Sequence, residues 1–221
     1  MLLLDLTLPS AEANLALDEA LLEQAEASGR PQECLRLWEP AGPLVVIGRS
    51  SLAEQEVDEA ACRRRGAPIF RRTSGGAAIV AAPGCLMYAV VLSLELRPQL
   101  RSIDEAHRFV LGKLVEAIRP LAPEVERRGT SDLAMGDRKF SGNSLRVKRE
   151  HLLYHGTLLY DFPLELIETC LRTPPRQPEY RARRSHLDFV TNLPVGAAAL
   201  RRAIVGAWAA DEPLENWPRQ L

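Results

Sequence analysis

The amino-acid sequence predicts an α+β fold in which a mixed, largely antiparallel sheet is flanked by helices. Three observations lead to this fold class. Strand patterns outnumber helix patterns, several neighbouring strands are separated only by short turns, and the order is not the regular strand–helix alternation of a parallel sheet. A chain of 221 residues without an internal repeat or a clear linker is expected to form one domain, 1–221.

The first half of the chain opens with a strand and a helix whose boundaries are well marked. Leucines alternate with other residues from Leu2 to Leu8, which is the period-two pattern of a strand. Ser10 is then a suitable N-cap for a helix over 11–27, which Gly29 ends. The other elements predicted in this half are strands at 35–38, 44–47, 68–72 and 77–80 and a helix at 57–65.

The second half predicts a long buried strand, an amphipathic helix and a hairpin. An apolar run at 86–94 indicates the strand, and Ser102 caps a helix that Pro120 stops. Strands at 138–146 and 151–160 form the hairpin around a short polar turn. The remaining predictions are a strand near Val125, helices at 163–171 and 196–208, a loop at 173–184 rich in Pro and Arg, and a polar tail at 211–221.

Charge and composition exclude several classes of protein. The net charge is −1, so no overall basicity indicates a nucleic-acid partner. No apolar run approaches the ~18 residues of a membrane span, and Asp5 within the first residues argues against a secretory signal. The cysteines form no CxxC pair, which predicts reduced thiols in a cytoplasmic protein and no zinc ribbon: Cys34, Cys62, Cys85 and Cys170.

A glycine loop between two predicted strands is the first candidate site. It reads Arg71-Arg72-Thr73-Ser74-Gly75-Gly76, so its backbone can approach a ligand closely while arginines and hydroxyls stand beside it. Such groups bind carboxylate or phosphate through charge-assisted hydrogen bonds. A tight turn with solvated arginines is the alternative, and on this segment alone it is favoured.

Lys139 is the second candidate. Only three of the 28 basic residues are lysines, so a lysine here is a less generic choice than it would be elsewhere. Lys139 stands before a Ser-Gly-Asn turn, where a compact cation can neutralise a phosphate or polarise an acyl oxygen. An exposed hairpin lysine explains the segment equally well.

For two further segments and two cysteines, a purely structural role is favoured over a functional one when each is taken alone. Gly156 interrupts an apolar strand after His155, which marks close approach of a ligand or of another backbone. The basic segment 181–192 suits an acidic partner or is simply a solvated loop. Cys85 and Cys170 have apolar neighbours and resemble small core residues rather than nucleophiles.

Taken together, the motifs are more specific than any one of them. Seven short motifs occur in a fixed order: NLALDE at 14–19, VIGR at 46–49, RRTSGG at 71–76, SDL at 131–133, GDRKFSGNS at 136–144, HGTLL at 155–159 and TNL at 191–193. Over residues 14–193 the chain resembles the lipoate–protein ligase catalytic domain of the biotin/lipoate ligase family. The resemblance implies the class II synthetase-like fold of that domain.

The resemblance also implies a reaction and its partners. Members form an acyl-adenylate from ATP, with Mg²⁺ implied, and lipoate or a related medium-chain acid. They then transfer the acyl group to a lysine of a lipoyl carrier domain, similar to the glycine cleavage H protein or to a dehydrogenase E2 domain. Neither a membrane nor a nucleic acid is an expected partner.

Site residues carry over by position. Lys139 matches the catalytic lysine that contacts the acyl carbonyl and the α-phosphate, and a fixed cation between two anionic groups is what that chemistry needs. No metal ligand is assigned. The residues implied to bind the acyl group or the adenylate are Arg72, Ser74, Gly75, Gly76 and Ala77 in the glycine loop, Ser131 and Asp132 where the family has an Asn–Asp pair, and His155, Gly156 and Thr157 on the strand beside them.

Three positions depart from the family pattern and keep alternatives open. Ala77 replaces a glycine, Ala81 a histidine and Cys85 an asparagine, so the nucleotide or metal site is expected to be altered. The first alternative is an ATP-independent lipoyl or octanoyl transferase that works through a cysteine thioester. The second is a non-catalytic module that binds lipoyl carriers. A biotin ligase is disfavoured because the Arg-rich glycine loop of biotin activation is absent.

The accessory domain of larger relatives is also expected to be absent. The chain ends about where larger ligases begin a small C-terminal domain. A separate accessory protein is therefore expected to cover the site.

Overall fold

The structure is a computed structural model that describes residues 1–174 and 177–219. Pro175 and Arg176 of the predicted loop, and the last two residues of the predicted tail, lie outside the described residues. The strands are β1 (Leu2–Asp5), β2 (Cys34–Trp38), β3 (Leu44–Ile47), β4 (Ile69–Arg71), β5 (Ile79–Ala81), β6 (Cys85–Ser93), β7 (Val125–Arg128), β8 (Asp132–Met135), β9 (Arg138–Val147), β10 (His151–Leu159) and β11 (Glu212–Pro213). The helices are α1 (Ala11–Ser28), α2 (Ala53–Glu56), α3 (Glu59–Arg65), α4 (Ile103–Ile118), α5 (Glu165–Cys170), α6 (His186–Phe189) and α7 (Ala197–Trp208).

Two sheets organise the described residues. The larger has the strand order β11-β1-β2-β6-β10-β9-β8-β7, and the smaller has the order β4-β3-β5. In the larger sheet β1 runs parallel to β11 and to β2. Every other neighbouring pair in that order, from β2–β6 to β8–β7, is antiparallel. The prediction of a mixed, largely antiparallel α+β fold is confirmed.

The central strands β6 and β10 are buried on both faces of the large sheet. Alternate side chains of β6 point to opposite cores: Val90 packs with α4 and α7, and Val91 packs with α1. A third core joins the small sheet to α5 and α6. The region where the two sheets meet carries the polar residues described below.

Helix α1 is held in place by its cap and by a buried ion pair. Ser10 Oγ accepts from the Ala13 N–H, and Gly29 ends the helix with φ +62°, as the sequence predicts. The fully buried guanidinium of Arg36 on β2 pairs with Asp18 and also donates to the backbone of Asn14. Burial raises the pKa of the Asp18 carboxyl, and the Arg36 guanidinium beside it opposes that rise.

Some elements differ from the prediction because tertiary contacts decide them. A single helix at 57–65 is wrong: Val57 is extended and bridges to Leu171, and Asp58 starts α3 as its cap. β8 was not expected, because only its pairing with β7 and β9 makes it a strand. The short α6 lies within the basic segment 181–192, where no helix was predicted, and β11 lies in the predicted tail. Among the described residues, no helix is both long and apolar enough to cross a membrane.

Candidate active site

Lys139 lies at the start of β9, where two cavities of similar size meet. The first cavity has a volume of about 150 Å³ and the second about 140 Å³, and Lys139 lines both. The other residues shared by the two linings are Ala77, Ala78, Ile79, Gly142 and Thr157. A single lysine side chain therefore borders both spaces.

A β-bulge next to Lys139 sets the direction of its side chain. Leu133 of β8 pairs with Ser141, but Ala134 pairs with Lys139, so Phe140 is the extra residue on β9. Bulges change the direction in which neighbouring side chains leave a sheet and are common beside active sites. Phe140 itself is fully buried, which fixes the bulge.

An ion pair positions the ammonium group of Lys139. Its Nζ lies 2.7 Å from Asp132 Oδ1 on the neighbouring strand β8. The Lys139 side chain retains 28% of its exposure, against 9% for Asp132. Gly142 leaves room for this arrangement, because a Cβ there would lie 3.0 Å from the Lys139 Nζ. The ammonium has three N–H donors, and the ion pair keeps it at the border of the two cavities.

The glycine loop (residues 72–78) is packed tightly against the turn after β3. A Cβ on Gly48 would lie 2.0 Å from the Gly76 carbonyl oxygen, so glycine is required there. Gly76 has φ +91°, a backbone that favours glycine. Ala77 does not have a positive φ, so the alanine in place of the family's glycine needs no strained backbone.

Arg72 lines the second cavity, but most of its donors support the glycine loop. Its Nε and Nη2 donate to the Gly75 carbonyl, Nη2 also donates to the Ala77 carbonyl, and Nη1 donates to the Val46 carbonyl. Burial lowers the Arg72 pKa to about 10, which still leaves it charged at neutral pH. Four of the five N–H donors of its guanidinium are therefore already engaged by backbone.

Ser74 and His155 form a short hydrogen bond at the wall of the second cavity. The Ser74 Oγ lies 2.6 Å from His155 Nε2, and the Ser74 side chain is buried. Burial, with a smaller contribution from Arg72, lowers the His155 pKa to about 3. An imidazole with that pKa is a weak base, so it is unsuited to activate the serine as a nucleophile. The pair instead ties the glycine loop to β10.

Asn143 explains the glycine within β10. A Cβ on Gly156 would lie 1.9 Å from Asn143 Oδ1, so the asparagine side chain lies directly on this strand. Tyr88 donates to Asn143 Oδ1 at 2.6 Å, and Asn143 Nδ2 donates to the Ser131 carbonyl at 2.8 Å. The sequence predicted close approach of a ligand or of another backbone at Gly156; the nearest group is the Asn143 side chain, and the Gly142 backbone carbonyl oxygen would lie 2.9 Å from the same Cβ. Asn143 also brings Ser131 to the second cavity.

The two cavities differ in the charges that they present. The first is walled by apolar and aromatic side chains, including Ile79 and Phe189, and by the cations Arg172 and Arg181 as well as Lys139. The second is lined by α1, the glycine loop and strands of both sheets, and among the described residues its cations are Lys139 and the already engaged Arg72. The first cavity is therefore better suited to a polyanion that carries a flat apolar group.

Glu56 is a site residue that the sequence analysis missed. Its carboxylate is buried and accepts from the Ala78 N–H at 2.5 Å, while its backbone carbonyl accepts from Arg172 N–H. It thus joins the glycine loop to the segment that walls the first cavity. A glutamate within four helical residues carries no signal of this role, because the partners are supplied by the fold.

The predicted basic loop is only partly a surface. Arg183 is exposed, but Arg184 pairs with Asp137. The expectation that Arg181 faces a partner is wrong: its side chain is buried, with Nη2 3.3 Å from His186 Nδ1. Arg181 lines the first cavity instead.

The four cysteines are all buried free thiols. Burial raises the pKa of the Cys34 thiol and of the Cys62 thiol to about 12 and raises that of Cys85 further. Neither cavity is lined by a cysteine. The prediction that Cys85 and Cys170 are core residues is confirmed.

Carboxylates that could accompany a metal are few. Within residues 1–174 and 177–219, no group of three or more His, Cys, Asp or Glu side chains is arranged to hold a metal ion. Mg²⁺ commonly takes one or two carboxylates together with substrate phosphates. Glu56 lines the first cavity, and Asp18 and Asp132 line the second.

Comparison with known families gives one match over most of the chain. The model of a family described as the lipoyl protein ligase A/B catalytic domain matches residues 10–199. That range contains every candidate site residue discussed above.

Relatives of two activities are similar to the chain. Lipoate-protein ligase LplJ of Bacillus subtilis is 24% identical over 182 residues, covering 81% of this chain and 52% of that protein. Octanoyltransferase LipM of Kyrpidia tusciae is 29% identical over 230 residues, covering 90% of this chain and 82% of that protein. The chain spans about half the length of the curated ligases that it matches.

Solved structures share the fold. A bi-partite lipoate protein ligase from Thermoplasma acidophilum, studied with its E2 lipoyl domain, has a TM-score of 0.78 at 24% identity, covering 94% of this chain and 82% of that chain. A lipoate-protein ligase A bound with ATP has a TM-score of 0.70 at 24% identity, covering 94% of this chain and 83% of that chain.

Proposed function

The chain belongs to the lipoyl protein ligase A/B catalytic-domain family, and from that membership we propose that it is a lipoate–protein ligase that works through an acyl-adenylate. One observation carries the proposal beyond the family. Lys139 is held by Asp132 where two cavities meet, and its ammonium has N–H donors for ligands. A cation shared by two cavities suits a reaction that joins two anionic substrates.

The nucleotide is assigned to the first cavity and the acyl chain to the second. ATP carries several negative charges and a flat base, which match the cations and the aromatic wall of the first cavity. The second cavity ends against α1, where Leu15 and Met87 provide apolar contact for a chain. The carboxylate of the acid then lies at Lys139, where the two spaces join.

Activation joins an oxygen of the carboxylate to the α-phosphorus of ATP, and pyrophosphate leaves. The Lys139 ammonium donates one hydrogen bond toward each anionic partner, so it stabilises the charge that develops between them. In the second step the carrier lysine amine attacks the acyl carbon, and AMP leaves with the electron pair of the broken C–O bond. Neither step requires a nucleophile from the enzyme, which agrees with the buried cysteines.

Mg²⁺ is expected to enter with ATP. In such complexes Mg²⁺ usually keeps several waters and is bound through phosphate oxygens together with one or two carboxylates of the protein. Glu56 is the candidate carboxylate, because it lines the first cavity beside Ala78. When bound, the ion would neutralise phosphate charge during activation.

The transferase alternative is supported by the octanoyltransferase relative, whose length this chain nearly spans. That chemistry needs a thiolate at the acyl carbon. The cysteines are buried, and none lines either cavity, which weighs against the alternative. A carrier-binding module without activity remains the third hypothesis.

The expected partners are a lipoyl carrier domain and a separate accessory protein. The Thermoplasma neighbour is described as bi-partite and was studied with an E2 lipoyl domain. We therefore expect weak adenylation by the chain alone and faster adenylation with a partner. Pyrophosphate release at ~1 s⁻¹ or faster by the chain alone would exclude the need for the partner.

An acylation assay tests the proposed function. The chain is incubated with an E2-type or H-protein-type lipoyl domain and lipoate, with and without Mg-ATP, and the carrier mass is measured. A parallel arm supplies an octanoyl thioester without ATP. Acylation only with Mg-ATP supports the ligase, acylation from the thioester supports the transferase, and no product in any arm favours the binding module.

A further inference from the structure

Tyr180 contacts the oxygen of the Asp132 carboxylate that Lys139 does not contact. The Tyr180 hydroxyl donates to Asp132 Oδ2 at 2.8 Å, and Lys139 Nζ lies 2.7 Å from Oδ1 of the same carboxylate. We infer that Tyr180 is a positioning residue for the activation step, because it fixes the Asp132 carboxylate that aims Lys139. This inference rests on the proposed function of Lys139.

The carboxylate of Asp132 is held at both oxygens. Its side chain is 9% exposed, so little water competes for either oxygen. A carboxylate held at one oxygen can rotate about its terminal torsion, which is soft for aspartate. The hydrogen bond from Tyr180 therefore fixes the plane of the Asp132 carboxylate. That plane in turn sets the direction in which the carboxylate holds the Lys139 ammonium.

Tyr180 is itself seated by packing on both sides. Its ring centroid lies 5.1 Å from that of Phe189, and a Cβ on Gly129 would lie 3.4 Å from its Cε1. Its backbone carbonyl accepts from Arg184 Nη2 at 3.0 Å. The hydroxyl therefore reaches Asp132 from a fixed ring, across a separation of 48 residues in the chain.

The same segment also walls the first cavity. The neighbouring residue Arg181 lines that cavity, while Tyr180 contacts the carboxylate that lines the second. Displacement of this segment would therefore have two effects at once. It would move a wall of the first cavity, and it would free the Asp132 carboxylate that holds Lys139. Burial and the nearby Asp132 charge raise the pKa of the Tyr180 hydroxyl, so it remains a donor across the working pH range.

Replacing Tyr180 by Phe tests the role with little change in packing. The ring stays and only the hydroxyl is lost, so we expect adenylation kcat to fall about tenfold, with the KM values for ATP and acid changing less than threefold. Tyr160→Phe is the matched control. It removes a similar tyrosine–carboxylate bond, to Glu39, from a residue that lines neither cavity, and should leave both parameters unchanged.

A second measurement reports on the lysine without using activity. The chain has three lysines, so selective ¹³Cε-lysine labelling gives one resonance each for Lys113, Lys139 and Lys148. Tyr180→Phe should shift and sharpen the Lys139 resonance alone, whereas Tyr160→Phe should shift none of the three.

The two measurements separate this inference from the proposed function. An unchanged Lys139 resonance, or wild-type kcat in folded Tyr180→Phe, overturns the role of Tyr180. If the wild-type chain forms no acyl-adenylate while the Lys139 resonance still moves, the positioning contact stands and the proposed reaction fails.

Discussion

Two cationic regions border the second cavity, and they use their charge in opposite ways. In the glycine loop, Arg72 directs four hydrogen bonds to backbone carbonyls of the loop and of β3. On β9, Lys139 has an ion pair with Asp132, and its partly exposed ammonium offers N–H donors to a ligand. The comparison teaches that a cation lining a cavity is available to a ligand only when its donors are not already used.

The difference also follows from the shapes of the two groups. A guanidinium is a planar fork that suits several fixed carbonyls, whereas an ammonium is a compact charge that can serve two neighbouring oxygens. The region of Arg72 is therefore expected to contribute mainly to stability. The region of Lys139 is expected to contribute mainly to the reaction.

The largest expected effect is that of Lys139→Ala on activation. Loss of the shared donor should remove about 2–4 kcal/mol of transition-state stabilisation, a fall of about 30-fold to 10³-fold in the adenylation rate. Lys139→Arg should also fail, because a planar group cannot replace a point charge at that position. ATP-dependent pyrophosphate release with lipoate measures both.

Lys148→Ala is the matched lysine control for this test. Lys148 pairs with Glu23 and lines neither cavity, so its loss should leave adenylation unchanged. Full adenylation by Lys139→Ala would end the distinction between the two regions.

The next effect concerns stability. Arg72→Ala leaves the Gly75, Ala77 and Val46 carbonyls without their donor, which should lower the free energy of unfolding by about 1–3 kcal/mol. Lys139→Ala should lower it by less, because that ion pair is partly exposed. Urea unfolding measures the loss of unfolding free energy in both variants. A larger loss for Lys139→Ala than for Arg72→Ala would contradict the assignment of the Arg72 region to stability.

The stability of the protein is expected to depend on pH through His155, which is hydrogen-bonded to Ser74 and so joins the glycine loop to β10. The folded pKa of His155 is about 3, against an ordinary value of 6.5, so the unfolded chain takes up the proton first as pH falls. Stability should therefore decrease as pH falls from about 6.5 toward 3, by about 1 kcal/mol between pH 7.5 and 5.5.

His155→Gln should remove that part of the decrease. His107 and His186, whose pKa values are also lowered by burial, remain in both proteins and cancel in the difference. Urea unfolding at pH 7.5 and 5.5 gives the comparison. Equal pH dependence in the two proteins would show that His155 is not held neutral.

The smallest effect on activity is expected from the cysteines. Cys85→Ala and Cys170→Ala should retain acylation, because neither thiol lines a cavity and the reaction uses no enzyme thioester. Intact-protein mass spectrometry of the wild-type chain under turnover should detect no acyl thioester. An acyl group on either cysteine, with transfer abolished in the alanine variant, would assign the chain to the transferases.

Much of the site could be predicted from short-range sequence signals. Glycine at 76 and lysine at 139 lie in contiguous motifs, where residue type and neighbours define the local backbone. His155 and Gly156 were found for the same reason. The order of the seven short motifs along the chain also predicted the family, and the match to the family model confirms it.

What the sequence could not supply are contacts between distant segments. Tyr180 reaches Asp132 across 48 residues, and Glu56 reaches Ala78 across 22. Arg181 looked like a surface charge because it stands in a basic run, but the fold buries it against His186. Val57 likewise has helical neighbours, yet its bridge to Leu171 interrupts the helix.

The central claim is that the acid is activated by direct attack on ATP, beside Lys139. The most direct measurement supplies lipoate labelled with ¹⁸O in its carboxyl group, together with Mg-ATP, the carrier domain and any accessory protein required. The AMP released on transfer should contain one ¹⁸O atom from the acid, because the carboxylate oxygen stays with the phosphorus when the C–O bond breaks. Acylated carrier formed together with unlabelled AMP, or formed without ATP, would contradict it.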